Sequence, residues 1–424
     1  MIGINNFSLD FSREPLVAPF GFKGGYVTEN WLSRVALTDA AGNRGEGSGV
    51  QGVLWSDSGV FAEHSTTGGN ALMLLITEYA ARLLTTMQAA TPMELFDALY
   101  PPTLAYARRL TGRSDLRPTF ALNAMVTVDN AVWQLYARKN GIQNFDGLIP
   151  ANCTAPFRSR HSVVAAVPLV PYGMTLDAAR ALADDGYCVL KIKIGSNPDK
   201  DDDPEKMLAW DQARLGALHE MLRGYTTPHT KSGKIAYYLD ANGRYDSLDR
   251  VNRLLSYAAD IGALEHIVLL EEPFPEHSGF DVSALPVTVA ADESAHDDAD
   301  VEALIDLGYR AIALKPIAKT MSMSFRIATA AEKRGVPCFC ADLTVDPLSV
   351  DINKCFAARL SPIPGMNIGI LEANGWQNYK NWDRMLSAHP VPDALWIPIH
   401  HGVFTLDDEF YKQSGGILRR GEAR

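Results

Sequence analysis

The chain has 424 residues, 47% of them hydrophobic and 21% charged, with a formal net charge of −11. That length suggests two or three domains with a sizeable core, and the acidic balance argues against a nucleic-acid partner, which needs a basic patch. No apolar run reaches the roughly 18 residues of a membrane span, the start MIGINNFSLDFSREP is unlike a signal peptide, and five cysteines make no disulfide framework, so a cytoplasmic protein acting on small molecules, with no membrane partner, is expected.

To about residue 150 no simple unit repeats. Residues 26–39 alternate as a strand does. Residues 40–49, AAGNRGEGSG, read as a turn and a glycine-rich loop. Residues 71–87 and 122–135 are apolar at helical spacing. Together they predict an α+β domain over 1–150. Within it, 48–61 (SGVQGVLWSDSGVF) reads as a mobile segment whose Trp55 either covers a substrate or is an exposed loop residue.

From residue 163 the texture changes. Short apolar runs at 163–170, 187–194, 234–240, 266–272, 286–292, 309–315, 336–342 and 365–372 alternate with amphipathic helices. Runs apolar on both faces suit a parallel sheet covered by helices. The helix after 240 has a stripe of Val251, Leu254, Leu255 and Ala258, with Asp246 or Ser247 to cap it and Gly262 to close it. Eight such units predict a (β/α)8 barrel over 160–375, a usual size for that fold. An open doubly wound sheet is the alternative, but no GxGxxG or Walker-type loop supports it. The tail, 376–424, leaves the repeat and is expected to pack back on the first domain.

Five charged residues fall late in their runs: Lys193, Asp240, Glu271, Asp292 and Lys315. Barrel enzymes keep catalytic groups at those strand ends. Asp240, Glu271 and Asp292 offer hard oxygen ligands, which suit Mg²⁺, or Mn²⁺, better than Zn²⁺. The competing reading pairs these carboxylates with barrel lysines alone. Lys191 and Lys193, two apart, leave the same face of their strand. Beside a cation and another ammonium, Lys193 is expected to be neutral near physiological pH and to act as a base. Lys315, four strands round, approaches from the opposite side. Lys191 reads as a structural or substrate-binding charge.

These motifs resemble the enolase superfamily, and more closely its muconate-lactonizing subgroup, over nearly the whole chain. The KxK element matches Lys191–Lys193, three metal-ligand strand ends match Asp240, Glu271 and Asp292, and the sixth-strand lysine matches Lys315. The resemblance implies a capping domain, made by the N-terminal region and the C-terminal tail, over a modified (β/α)8 TIM barrel. It implies abstraction of the proton next to a carboxylate, with Mg²⁺ stabilising the enediolate. One lysine removes the proton and the other returns it from the opposite face, which suits a racemase or epimerase. Asn242 and Glu293 flank ligands and are expected to orient them. A homo-oligomer is the family-like expectation.

The chain also departs from the pattern. PIAKTMSMSF follows Lys315 without the usual glycine pair, and CFCADLT supplies no histidine of the mandelate-racemase kind. Dipeptide epimerases carry an Asp-x-Asp on the last strand to hold the substrate ammonium; here the strand reads GILEANG. Glu372, and Asp342 on the seventh strand, stand as substrate contacts or as plain strand-end carboxylates. The expected substrate is a carboxylate, either a dipeptide or an N-acyl amino acid. Cycloisomerisation and syn-dehydration remain alternatives, as does a non-catalytic protein reusing the fold.

Overall fold

The computed structural model describes residues 1–22 and 25–419. Three antiparallel strands, Asn6–Phe22, Gly25–Thr38 and Arg44–Gln51, form a sheet in chain order. The helices Ser58–Leu84, Pro92–Thr111 and Pro118–Asn140 pack with it. Proline opens the last two, where its missing N–H costs nothing, and a left-handed glycine (Gly112, Gly141) closes each.

One sequence expectation fails in this region. Of residues 40–49, expected as a turn and glycine-rich loop, 44–49 belong to the strand Arg44–Gln51, and only the turn at 39–43 is irregular. Gly45, Gly47 and Gly49 alternate along it and share one face. The helix Pro118–Asn140 lies directly on that face. A Cβ at Gly47 would stand 2.1 Å from the carbonyl oxygen of Thr127, and one at Gly45 would stand 2.2 Å from that of Ala131. These glycines permit close approach rather than a turn. In the neighbouring segment Trp55 is not an exposed loop residue: Val53–Ser56 is one helical turn and Trp55 is buried.

The barrel strands are β1 (Val163–Val167), β2 (Val189–Lys193), β3 (Ala236–Asp240), β4 (Ile267–Glu271), β5 (Val289–Ala291), β6 (Ala311–Leu314), β7 (Cys338–Cys340) and β8 (Gly369–Glu372). From β2 to β8 each pairs in parallel with the next, and β8 pairs with β1. The circuit closes through Leu169–Val170, which continues β1 past Pro168 and pairs with β2. Helices follow the strands except after β4, where none occurs before β5. Ser247, rather than Asp246, caps Leu248–Asp260, and its Oγ accepts from the Arg250 N–H.

Alternation along the strands divides inside from outside. Val189, Ala236, Tyr238, Ala290, Ala311, Ala313 and Phe339 fill the barrel, while Leu190, Ile192, Tyr237 and Leu239 join the core beneath the helices. Small side chains below leave the upper barrel to long charged ones. After β8, Lys380 N–H donates to Pro15 O (3.1 Å), while Glu14 Oε2 accepts from Arg384 Nη2 (2.6 Å) and Asn381 Nδ2 (3.2 Å). These contacts lay residues 380–384 against the first long strand, whereas further on Val403–Thr405 pairs antiparallel with β1 of the barrel, so the tail does not pack on the first domain alone; of 376–424, the residues from 420 onward lie outside the described residues. Among the described residues no helix is long and apolar enough to cross a membrane.

Candidate active site

Charge collects at the ends of the barrel strands, β1 excepted, whose last inward residue is Val167. Lys193, Asp240 and Glu271 are successive register partners at the ends of β2, β3 and β4. Lys191, one inward step lower, sits on the floor. Its Nζ lies 3.0 Å from Asp240 Oδ2, 2.8 Å from Glu271 Oε2 and 3.0 Å from Glu372 Oε2. Burial alone would drive its pKa down, but those three carboxylates together push it well above the usual lysine value. Lys191 is therefore a fixed charge that binds three strand ends together.

Lys193 Nζ lies 2.6 Å from Asp240 Oδ2 and also meets Asn242 Oδ1. On the far side of the barrel Lys315 Nζ pairs with Asp292 Oδ2, and its ammonium lies 4.5 Å from the centre of the Trp55 ring. Burial lowers the Lys315 pKa, but Asp292 and Glu293 outweigh it and the net shift is upward. Asn242 Nδ2 donates to Glu293 Oε1 (3.0 Å), which joins the β3 end to the β5 end. All the residues singled out from the sequence line one cavity of about 70 Å³ except Glu271, which lies fully buried behind it.

Three carboxylate oxygens here make no hydrogen bond: Glu271 Oε1, Glu293 Oε2 and Asp292 Oδ1, the last with the Lys319 Nζ 3.5 Å away. Their residues each offer an oxygen within 4.8 Å of the others. A buried, unpaired carboxylate oxygen is costly unless something positive meets it. The carboxylates Asp240, Glu271, Asp292, Glu293, Asp342 and Glu372 also outnumber the ammonium groups of Lys191, Lys193, Lys315 and Lys319 around them. Burial and then repulsion by Asp240 push Glu271 well above the usual carboxylate range. Burial and then Glu372 push Asp342 up to about 7. Convergent hard oxygens with surplus negative charge fit a divalent cation such as Mg²⁺. Asp240 presents a different aspect from the other ligand candidates. Its Oδ2 faces Lys191 and Lys193 and its Oδ1 accepts the Asn242 N–H (3.0 Å), so Glu293 stands in the unpaired set where the sequence pointed to Asp240.

Glu372 and Asp342 are both engaged. Glu372 Oε2 also accepts the Asp342 N–H (3.0 Å), and its Oε1 meets Asn374 Nδ2 (3.3 Å). The Asp342 oxygens accept the N–H groups of Leu343 and Asn374, both at 2.8 Å. The cavity wall above them is largely apolar, with Leu16, Phe20, Phe22, Val27, Leu54 and Leu343.

Four contributors escaped sequence reading. Tyr238 donates its hydroxyl to Glu271 Oε2; inward alternation from Asp240 was the available signal. Lys319 is fully buried and donates to the carbonyls of Asp292 (2.6 Å) and Ala295 (2.9 Å). Glu272 accepts the Asp292 N–H (2.9 Å) and the Ser294 hydroxyl (2.5 Å), and burial followed by Glu293 pushes its pKa up to about 8. Arg117, from the N-terminal region, contacts the Glu293 carbonyl. Two non-glycine residues with positive φ sit at these strand ends, Asn242 (46°) and Glu272 (40°). Such strain concentrates where side chains are held for function.

The family model described as enolase C-terminal domain-like matches residues 174–394, just over half of the chain. No curated protein matches the sequence. Among solved structures, a mandelate racemase/muconate lactonizing protein from Herpetosiphon aurantiacus is similar at 17% identity and a TM-score of 0.65, over 96% of each chain. The L-Ala-D/L-Glu epimerase of Bacillus subtilis, solved with substrate, is similar at 17% identity and a TM-score of 0.63, over 90% of this chain and 92% of that one. A dipeptide epimerase from Cytophaga hutchinsonii, complexed with Mg and D-Ala-L-Val, aligns at 16% identity and a TM-score of 0.62, over 89% of each chain. At these identities the structural likenesses establish the fold.

Proposed function

The chain belongs to the enolase superfamily, and from that premise we propose that it is an Mg²⁺-dependent racemase or epimerase of the muconate-lactonizing kind. The observation that carries this reading is the placement of Lys193 and Lys315. Their strands, β2 and β6, stand four apart in a ring of eight, so the two ammonium groups enter one cavity from opposite sides. A carbon acid held between them loses its proton to one lysine and regains it from the other on the opposite face. The result is inversion at that carbon.

Asp240, Glu271 and Asp292 hold the cation in this reading, with Glu293 as an additional carboxylate. The bound cation supplies Lewis-acid stabilisation of the charge that develops on the substrate carboxylate. Lys191 keeps Asp240, Glu271 and Glu372 together beneath it. Lys315, whose pKa is raised by Asp292 and Glu293 against the effect of burial, is held protonated and so has a proton to return in one direction. In the other direction it must first lose its own proton.

The substrate is a carboxylate whose group beyond the reacting carbon carries no free ammonium. Glu372 is engaged by Lys191, Asp342 by two backbone N–H groups and Glu29, the carboxylate on the wall beyond, by Arg13 (2.7 Å), while that wall is otherwise largely apolar. N-acyl amino acids fit that environment better than zwitterionic dipeptides.

Deuterium exchange tests the proposal. The protein is incubated in D₂O with Mg²⁺ and pools of N-acyl amino acids, dipeptides and hydroxy acids, and the α-protons are followed by NMR and mass. Mg²⁺-dependent deuterium uptake on an unchanged skeleton is the expected result. Loss of water or ring formation replaces it with the dehydratase or cycloisomerase reading. Inertness toward every pool overturns the substrate assignment.

A further inference from the structure

Arg117 lies outside the barrel, yet its guanidinium joins three elements that meet at the site. Nη1 donates to the carbonyls of Trp55 (2.8 Å) and Ser56 (3.1 Å). Nη2 donates to the carbonyl of Glu293 (3.3 Å) and lies 2.8 Å from Glu276 Oε1, while Nε donates to Glu276 Oε2 (3.2 Å). Glu276 in turn stands 3.1 Å from His296 Nε2, whose Nδ1 lies 2.8 Å from Asp300.

The Trp55 and Ser56 carbonyls end the single turn Val53–Ser56, where no intrahelical donors remain for them. A one-turn helix has little stability of its own. Its height above the barrel depends on what holds those carbonyls: Thr119 Oγ1 also donates to the Ser56 carbonyl (2.7 Å), while Arg117 alone of the two reaches the Trp55 carbonyl and ties both to the residue directly after Asp292. A guanidinium is suited to this, because its donors are fixed in one plane. The indole it steadies is the ring that lies over Lys315. The ring beside Lys193 is Phe22, 5.8 Å from the ammonium and carried by a different element, the strand Asn6–Phe22. The two lysines therefore have covers with separate supports. A cavity of about 70 Å³ is also well below the roughly 300 Å³ of a small-molecule site, so admitting substrate requires a cover to shift and return to register.

We propose that Arg117 is a positioning residue that sets Trp55 over Lys315, and that it thereby serves the Lys315 face of the reaction selectively. The selectivity rests on the two-lysine reading above. The placement of Trp55 does not. Removing the fork lets the turn settle differently above Lys315 while Lys193, under Phe22, keeps its surroundings. A plain interdomain tie would affect both faces alike.

The test uses Arg117→Lys, which keeps a charge beside Glu276 without the planar fork, and Arg117→Gln. The protein is labelled with 5-fluorotryptophan at its seven tryptophans, and Trp55→Phe assigns the Trp55 resonance. In both variants that resonance is expected to shift or broaden while the other six stay. An unmoved Trp55 resonance, or all seven moving together, overturns the proposal. With an exchanging substrate, α-proton exchange from one enantiomer should fall about 10- to 100-fold, the scale of a small misplacement, and exchange from the other should change less than about threefold. Equal losses for both enantiomers overturn the selectivity. If the unaltered protein exchanges no substrate, the two-lysine reading and the selectivity fail together, and the fluorine spectrum alone still decides whether Arg117 places Trp55.

Discussion

Lys193 and Asp240 are register partners on adjacent parallel strands, and the lysine Nζ lies 2.6 Å from the Asp240 Oδ2. Lys315 and Asp292 repeat the pairing on the other side of the barrel. Each lysine thus contacts a different carboxylate of one cluster, so on the proposed mechanism the position of each base depends on the state of the proposed cation site.

The two lysines should be separable by substitution. Lys193→Met and Lys315→Met should each abolish α-proton exchange from one enantiomer and leave partial exchange from the other, with losses of about 100-fold or more for the affected one. Incubating each enantiomer separately in D₂O reads this directly. Equal residual exchange from both enantiomers in either variant contradicts the two-face arrangement.

Cation binding should appear as stability. At about 100 times its Kd, Mg²⁺ adds roughly 2.7 kcal/mol to a folded state that alone binds it, a rise in Tm that EDTA reverses. Glu271→Gln and Asp292→Asn should remove the rise. Asp240→Asn and Glu293→Gln divide two possibilities. The unpaired Glu293 Oε2 predicts that Glu293→Gln weakens Mg²⁺ affinity measurably in calorimetry, rather than leaving it unchanged as a remote orienting residue would.

Much of the fold was legible because a parallel barrel buries both faces of each strand, and all eight apolar runs contain barrel strands. The strand-end charges were legible for a related reason: in so apolar a run, a charged residue at the last inward position is conspicuous. The strand Arg44–Gln51 was not legible, because three alternating glycines look locally like a loop and only the helix across them explains the spacing. Nor was Arg117. Its partners include main-chain carbonyls, which leave no mark on side-chain pattern. Which carboxylate keeps an unpaired oxygen, Glu293 rather than Asp240, depends on how neighbouring side chains pair, which strand periodicity does not encode.

The glycine spacing itself yields a prediction. Gly47→Ala would place a methyl carbon 2.1 Å from the Thr127 carbonyl, against backbone that cannot turn aside. The cost should reach about 1–3 kcal/mol, read as a lower midpoint in urea. At Gly112 a Cβ would meet nothing within 4 Å, so Gly112→Ala should lose only the smaller amount that its positive φ imposes.

Asp351 offers a separate test of the C-terminal segment. Its Oδ1 lies 2.6 Å from Lys354 Nζ, and its Oδ2 accepts from Trp396 Nε1 (3.1 Å) with His389 Nε2 3.2 Å away, all buried. Asp351→Ala leaves the buried Lys354 ammonium on the Trp396 carbonyl (2.7 Å) without its carboxylate and should cost about 3 kcal/mol or more. Limited proteolysis should then cut first between residues 380 and 405. Unchanged protease resistance would show that Asp351 does not hold the segment down.

Asp129 links the N-terminal region to the helix that follows Lys315. Its Oδ2 accepts the Ser322 N–H (3.1 Å) and its Oδ1 the Ser322 hydroxyl (2.5 Å), at the start of Met321–Lys333. Burial raises its pKa to about 6, and the hydrogen bonds from Ser322 only partly offset that. An unfolded aspartate titrates near 3.9. Between those values the folded chain holds a proton that the unfolded chain has released, so this residue's contribution to stability falls as pH rises from about 4 to about 6, and above that it stays at its lowest. Asp129→Asn does not titrate and can still pair with Ser322 through one acceptor and one donor. Subtracting its unfolding free energy from that of the unaltered protein, measured in urea at intervals from pH 4 to 8, should give a difference that declines through that window and is flat beyond it. A difference that is flat throughout, or that rises with pH, would mean that Asp129 is already ionised at pH 4 in the fold.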